Sequence, residues 1–189
     1  MPWFRKTKRS PQQLTVKTRT PAATSGTPAR VATDTSPNGV YSALRSQALS
    51  VKRSEAGVSP ADGALVWGTL METGYDGVTV TLFALADGTT SLYFSNGGGV
   101  IGGQAHETVR RANAVFLDQT NNFLGQLAPC ETFPIPEPAH TVFYVLTDSG
   151  ILTGGALEND LGHGRHPLSR LFHAGHEVIS QLRLISNDD

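Results

Sequence analysis

Two Asp-Gly pairs divide residues 64–95 into three apolar, β-prone runs, and this pattern is the strongest constraint on the fold. The pairs are Asp76-Gly77 and Asp87-Gly88, and the runs read ALVWGTLMET, VTVTLFALA and TTSLYFS. Asp-Gly is typical of type I′ hairpin turns, which need positive φ at both central residues. We therefore predict a three-stranded antiparallel meander. Nearly every position in these runs is apolar, which indicates that both faces of the sheet are at least partly covered.

Helix and strand patterns continue after the meander. Apolar side chains recur at helical spacing over residues 104–127, so we predict one long helix there. A proline-rich connector, APCETFPIPEPAH, follows, and the runs TVFYVLT and ILTGGA around Asp148-Ser149-Gly150 predict a second hairpin. The polar segment ENDLGHGRH is a predicted loop, and Pro167 begins a predicted C-terminal helix. A short helix is also predicted within residues 39–51.

The element order β-β-β-α-β-β-α predicts a single α+β domain over residues 39–189. Over residues 64–185 this order resembles the longin fold and the wider profilin-like group, to which the roadblock modules also belong. The resemblance implies a five-stranded antiparallel sheet with the long helix on one face and the C-terminal helix on the other. It also implies an adaptor or regulatory module in protein–protein contacts, often at membranes. It assigns no functional residue, and this chain departs from longins because a basic tail precedes the domain.

Residues 1–38 carry seven basic residues and one acidic residue, a net charge of +6, whereas the rest of the chain carries −7. This segment is rich in Ser, Thr, Pro and Ala and has few large apolar side chains, so we predict a disordered tail. Aromatic and basic side chains occur together at its start, a combination suited to an anionic membrane surface or an acidic partner. These side chains are Trp3, Phe4, Arg5, Lys6, Lys8 and Arg9. We predict a solvated tail, with binding to such a surface or partner as the alternative.

Cys130 is the only cysteine, so the chain has no internal disulfide and nothing indicates an oxidising compartment. No apolar run approaches the ~20 residues of a membrane span, and no apolar segment follows the N-terminal charges as in a secretory signal. We expect a cytoplasmic protein, with peripheral attachment to a membrane as the alternative. Cys130 lies in the proline-rich connector without a local catalytic signature, so we do not expect a nucleophile there.

The stretch SNGGGVIGG contains a formal G-x-G-x-x-G match between a predicted strand and the long helix. Its glycines are Gly97, Gly98, Gly99, Gly102 and Gly103. Backbone amides in such a loop can approach a phosphate. However, a dinucleotide-binding loop belongs to a βαβ unit, whereas the strand here closes a meander, and no Gly-Lys-Ser/Thr follows as in a P-loop. We therefore predict a hinge between sheet and helix, with an anion or phosphate site as the alternative.

Four of the six histidines lie within fourteen residues: His163, His166, His173 and His176. On a helix, His173 and His176 share a face, and His163 or Asp160 from the preceding loop could complete a metal site with them. The spacing matches no standard zinc pattern, and the neighbouring helix positions are polar. We therefore predict a solvated helix face, with a metal site as one alternative and a sensor of mild acid as another.

The sequence contains no complete catalytic constellation. Our leading hypothesis is a non-enzymatic protein–protein interaction or regulatory module that needs no cofactor and binds a protein partner or a second copy of itself. Specific nucleic-acid binding is not expected, because the domain is acidic and lacks interleaved aromatic and basic residues on its strands. The alternative is a small enzyme or ligand-binding protein that uses residues 97–103 for a phosphate or nucleotide and the histidines for a metal. That alternative predicts that the loop and the histidines converge on one cleft.

Overall fold

One seven-stranded antiparallel sheet and four helices make up the structure, a computed structural model that describes residues 36–58 and 65–187. The elements in chain order are α1 (Pro37–Ser50), β1 (Val66–Tyr75), β2 (Val78–Leu85), β3 (Thr90–Phe94), β4 (Gly99–Ile101), α2 (Glu107–Phe123), β5 (Ala128–Pro129), β6 (His140–Thr147), β7 (Gly150–Leu157), α3 (Glu158–Gly162) and α4 (Ser169–Asn187). Short 3₁₀ turns at Gly103–Ala105 and Leu124–Gln126 flank α2. The predicted α+β class is confirmed, whereas the predicted five-stranded sheet is wrong.

β1 is the central strand of a sheet with the order β4-β3-β2-β1-β6-β7-β5. β1, β2 and β3 form the predicted meander, and β6 and β7 form the second hairpin. Gly77, Gly88 and Gly150 take positive φ in the connecting turns, as the turn sequences indicate. Because β1 pairs with β2 on one side and β6 on the other, nine of its ten residues are buried.

The two strands missing from the sequence-based prediction lie at the two edges of the sheet. β4 forms because the chain reverses after β3: Gly97 and Gly98 take positive φ, and the Phe94 N–H donates to the Gly98 carbonyl. β5 pairs its Ala128 and Pro129 with β7. Proline lacks a backbone N–H, and it is tolerated here because β5 is the edge strand among the described residues. Strands of two or three residues rich in glycine or proline are too short to show a strand periodicity in the sequence.

α2 and α4 lie side by side on one face of the sheet, so the predicted placement of these helices on opposite faces is wrong. Met71 of β1, Phe116 of α2 and Leu171 of α4 belong to one buried apolar cluster. The close approach of α4 depends on Gly175, where a Cβ atom would lie 2.6 Å from the Met71 sulfur and 3.2 Å from the Phe116 ring. α3, which was predicted as part of a loop, packs Leu161 into the same cluster.

α1 covers the opposite face of the sheet. Ser36 caps this helix by accepting the Gly39 N–H at 3.1 Å, and Pro37 occupies its first turn. Tyr41 and Ala48 are buried in a second apolar cluster with sheet residues that include Trp67, Leu70, Phe83 and Tyr144. The short helix predicted within residues 39–51 is therefore present. The predicted tail lies outside the described residues except for its last three, which cap and begin α1.

The proline-rich connector runs across the end of β1. Gly74 of β1 pairs with Pro138, and the Ala139 N–H donates to the Gly74 carbonyl at 2.8 Å. A Cβ atom on Gly74 would lie 2.3 Å from the Glu137 carbonyl oxygen and 2.6 Å from that of Pro136. Since these neighbours are backbone atoms, they cannot rotate away, and the connector requires glycine at this position.

We expect Gly74→Ala to lower the free energy of unfolding by about 1–3 kcal/mol, the usual cost of overpacking. Gly125→Ala is the matched control, because its Cβ position is open and its φ is not positive. That control should change stability by less than about 1 kcal/mol. Urea denaturation followed by circular dichroism measures both variants, and equal stabilities would contradict the close approach of the connector to β1.

Candidate functional site

A buried ion pair joins α1 to the central strand. Arg45 Nε donates to Glu72 Oε1 at 2.8 Å, and Arg45 Nη2 donates to Glu72 Oε2 at 2.7 Å. The Glu72 side chain is fully buried and that of Arg45 is 12% exposed. Such paired hydrogen bonds are strong because the planar guanidinium matches the two carboxylate oxygens. Each charge stabilises the other, since a buried charge without a partner would greatly lower the free energy of unfolding.

Hydroxyl groups complete the hydrogen bonding of the ion pair. Thr81 donates to Glu72 Oε1 at 3.0 Å, so its hydroxyl oxygen accepts the Tyr41 hydroxyl at 2.9 Å. Burial and the Glu72 charge raise the pKa of Tyr41. The same two causes raise the pKa of Tyr144 to about 12, and its hydroxyl donates to the Pro134 carbonyl at 2.7 Å. Both phenols are therefore protonated donors near neutral pH, and this network stabilises structure.

This ion pair was not predicted from the sequence, although the sequence contains two signals for it. Glu72 is the one carboxylate inside the three apolar runs of the meander, at a strand position with buried neighbours. Arg45 lies four residues after Tyr41 and three before Ala48, so the three side chains share one helix face. Neither signal shows that the charges meet, because they lie on different elements 27 residues apart.

We expect Arg45→Met to lower the free energy of unfolding by about 3–5 kcal/mol, because it leaves the Glu72 carboxylate buried and unpaired. Adding Glu72→Leu to Arg45→Met should recover most of that loss, since it removes the uncompensated charge. Arg111→Met is the control: Arg111 pairs with Glu107 on the exposed surface of α2. It should change stability by no more than about 0.5 kcal/mol. If the double variant were as unstable as Arg45→Met alone, the proposed cost of burying an unpaired Glu72 carboxylate would be contradicted.

The predicted glycine loop is divided between two places. Gly97 and Gly98 form the β3–β4 turn, and the Cβ position of Gly97 lies 3.0 Å from the Pro37 side chain at the start of α1. Gly99 is in β4, whereas Gly102 and Gly103 precede α2, with Gly103 buried beside Leu182 of α4. The segment is therefore a hairpin turn, a strand and a helix start, where a single hinge was predicted. The anion site on these glycines stays a prediction, and the structure does not bring all five together.

The β3–β4 turn and α1 enclose an open, mainly apolar groove of about 230 Å³. Its lining residues are Pro37, Val40, Tyr41, Leu44, Tyr93, Phe94, Gly97 and Gly98. We call it the α1 groove. Tyr41 belongs both to this groove and to the hydrogen-bond network of the buried ion pair, so the ion pair fixes one wall of the groove.

The four predicted histidines also lie in different environments. His163 Nδ1 is 2.7 Å from the Asn159 carbonyl oxygen on the exposed side of α3. His176 is half-buried, with its ring centroid 4.2 Å from that of Phe172. Asp160, the alternative to His163 for completing the site, pairs with Arg165 at 2.8 Å. Within residues 36–58 and 65–187, no three His, Cys, Asp or Glu side chains are placed to hold a metal ion.

The other two histidines, His166 and His173, line a groove of about 510 Å³ between the end of α2 and the start of α4. Its complete lining is Phe123, Gln126, Gly164, His166, Pro167, Ser169, Arg170 and His173. We call it the α4 groove. It shares no lining residue with the α1 groove. Among the described residues, the glycines and the histidines therefore line two different grooves, and the small-enzyme alternative stays a prediction.

Cys130 is half-buried, and its thiol lies 3.6 Å from the Ile151 carbonyl oxygen. Burial raises the pKa of this thiol. The thiolate, which is the nucleophilic form, is correspondingly disfavoured.

The tail residues with a predicted membrane or acidic-partner role lie outside the described residues. They are Trp3, Phe4, Arg5, Lys6, Lys8 and Arg9. Among the helices that are described, none is long and apolar enough to span a bilayer.

His176 provides a pH-dependent test of the α4 packing. Burial lowers the pKa of His176, and the Glu158 charge only partly opposes this effect. The unfolded chain, with an ordinary histidine pKa of about 6.5, then binds a proton more readily than the folded chain. The contribution of His176 to the free energy of unfolding is therefore fully present above the unfolded-state pKa. It is lost as the pH falls through that pKa towards the lower folded-state pKa.

We expect the free energy of unfolding to decrease between pH 7.5 and pH 5.5, and to decrease less in His176→Gln. His163→Gln is the control, because His163 is exposed. Urea denaturation at the two pH values measures the difference. If His176→Gln and the wild type lost stability equally on acidification, the burial of a neutral His176 would be contradicted.

Comparison with known proteins adds no family assignment: no protein-family model, curated protein or solved structure matches this chain. The resemblance to longin-like and profilin-like domains, which rests on element order, stays a prediction.

Proposed function

We propose that this protein is a non-enzymatic protein–protein interaction module that binds an extended, apolar segment of a partner at the α1 groove and the adjoining edge of β4. The observation that carries the proposal is the position of the glycine-rich turn, which places an open apolar groove next to a sheet edge that no strand of the described residues pairs with. Extended peptides bind other domains in this way, by adding a strand to a sheet edge and inserting side chains into adjacent pockets.

The edge of β4 supports the choice of an extended partner segment. β4 is the outermost strand on its side, and no strand within the described ranges pairs with its outer edge. The Phe94–Gly98 hydrogen bond directs Gly98 towards β3, so the alternation of an antiparallel ladder directs the backbone groups of Gly99 and Ile101 outwards. An unpaired edge of this kind is a template for a further strand.

Exposed apolar side chains support the choice of an apolar segment. Val40 in the α1 groove is 47% exposed, and Ile101 of β4 is 71% exposed. Ile101 lies opposite Ser91 of β3 in the register of the two strands. Since Ser91 and Tyr93 are two residues apart on one strand, Ile101 lies on the same sheet face as Tyr93 of the groove. Alternate apolar side chains of an added strand would contact this face and remove apolar surface from water.

The buried ion pair supports a groove of fixed shape. It holds α1 on the sheet through Arg45 and Glu72, and Tyr41 connects the pair to the groove lining. A preformed groove binds with a smaller loss of conformational entropy than one that forms only on contact. Partner recognition by the tail, attachment to a membrane and a cytoplasmic location stay predictions beside this proposal.

The proposal is tested with Val40→Glu combined with Ile101→Lys in the full chain. Affinity capture from a lysate followed by quantitative mass spectrometry should detect a stoichiometric partner of the wild type that this variant loses. Light scattering should detect any self-association, which would make a second copy the partner. The control is Leu184→Glu, a charge placed on an apolar residue of α4 that is 58% exposed.

Hydrogen exchange then locates the contact. Amides of residues 97–101 should gain protection when the captured partner, or a second copy, is added. A partner retained equally by the wild type and the Val40→Glu/Ile101→Lys variant, or protection confined to other segments, would overturn the proposal.

A further inference from the structure

The α4 groove is lined by basic side chains, although the domain as a whole is acidic. Residues 161–176 contain Arg165, Arg170 and four histidines but no Asp or Glu, whereas residues 39–189 as a whole carry a net charge of −7. Arg170, His166 and His173 line the groove, and none of its eight lining residues is acidic. A side-chain set of this kind favours an anion over a metal cation.

Arg170 is the strongest single feature of the groove. It makes no hydrogen bond or ion pair with any residue in the described ranges. The other arginine of this segment, Arg165, is by contrast paired with Asp160 at 2.8 Å. A guanidinium offers five N–H donors in a planar arrangement that matches the oxygens of a phosphate or carboxylate. All five donors of Arg170 are therefore available to a ligand.

His166 adds a hydrogen-bond donor to the groove. Its Nδ1 accepts the Leu168 N–H at 3.2 Å, so the proton of the neutral imidazole lies on Nε2. This contact holds the ring orientation, and the Ser169 hydroxyl accepts the His166 N–H at 3.3 Å on the same turn. The side chain is thus ordered and presents a donor without needing to be protonated.

The α4 groove is large enough for a small molecule, and part of its lining is apolar. About 510 Å³ lies within the range of small-molecule sites. Phe123 and Pro167 offer apolar surface beside Arg170 and the two histidines, and Gln126 offers an amide. A ligand that fits this lining has an anionic group and an apolar or aromatic part of modest size.

We propose that the α4 groove binds a small organic phosphate monoester, with its phosphate on Arg170, His166 and His173 and its organic part against Phe123 and Pro167. A phosphate fits better than a carboxylate, because its dianionic charge and additional oxygens can engage three donor side chains at once. The site is separate from the α1 groove, so it does not depend on the proposed protein-interaction function.

Titration by isothermal calorimetry and by NMR of the full chain tests this site with three probes: phenyl phosphate, inorganic phosphate and benzoate. Phenyl phosphate should bind saturably and most tightly, inorganic phosphate more weakly because it lacks the apolar part, and benzoate most weakly because it lacks the phosphate. Chemical shifts of residues 164–173 should change on binding.

Arg170→Gln should weaken phenyl phosphate binding at least about tenfold, the loss expected when a charged hydrogen-bonding partner is removed. His173→Gln should weaken it to a smaller degree. Arg111→Gln makes the same charge change at an arginine of α2 that does not line the α4 groove, and it should leave the affinity unchanged. Because Arg170 and His173 are exposed, both variants should keep the wild-type circular dichroism spectrum.

Three results would overturn the proposal. One is no saturable binding of phenyl phosphate by the wild type at millimolar concentrations. Another is equal affinity of Arg170→Gln and Arg111→Gln, which would place the phosphate elsewhere. Equal affinity for benzoate and phenyl phosphate would instead remove the preference for a phosphate.

Discussion

The ion pair between Arg45 and Glu72 is the interaction on which one whole side of this structure depends. It lies between α1 and the central strand of the sheet, where water does not reach the carboxylate. A carboxylate at the centre of a sheet face is tolerable only with a partner of opposite charge and full hydrogen bonding, and Arg45 and Thr81 supply both. α1 is therefore held by a specific polar contact as well as by apolar packing.

The two faces of the sheet are stabilised in different ways. The face that carries α2 and α4 is a continuous apolar cluster, and close approach at Gly175 allows the helices to lie side by side. The face that carries α1 combines a smaller apolar cluster with the ion pair and two tyrosines. The grooves follow from this arrangement. One lies where α1 meets the β3–β4 turn, and the other lies where the end of α2 meets the start of α4.

The meander, the second hairpin and the two long helices are visible in the sequence because each is a local pattern. Asp-Gly pairs indicate turns with positive φ, and the helical spacing of apolar side chains predicts an amphipathic helix. The edge strands β4 and β5 are not visible, because they are two or three residues long and exist only through pairing with β3 and β7. The placement of α4 beside α2 is not visible either, since both helices have an apolar face that would suit either side of the sheet.

The sequence by itself determined the meander, the second hairpin and the two long helices, and it marked the glycine-rich stretch and the histidine-rich segment as unusual. Only the tertiary structure decided where the residues of these stretches lie. It divided the glycines between a hairpin turn and a helix start, and it joined His166 and His173 to Arg170 while it separated them from His163 and His176. It also paired Arg45 with Glu72 across 27 residues of chain. The physical reason is that local conformation depends on neighbours in the chain, whereas a binding surface or a buried charge depends on which elements pack against each other.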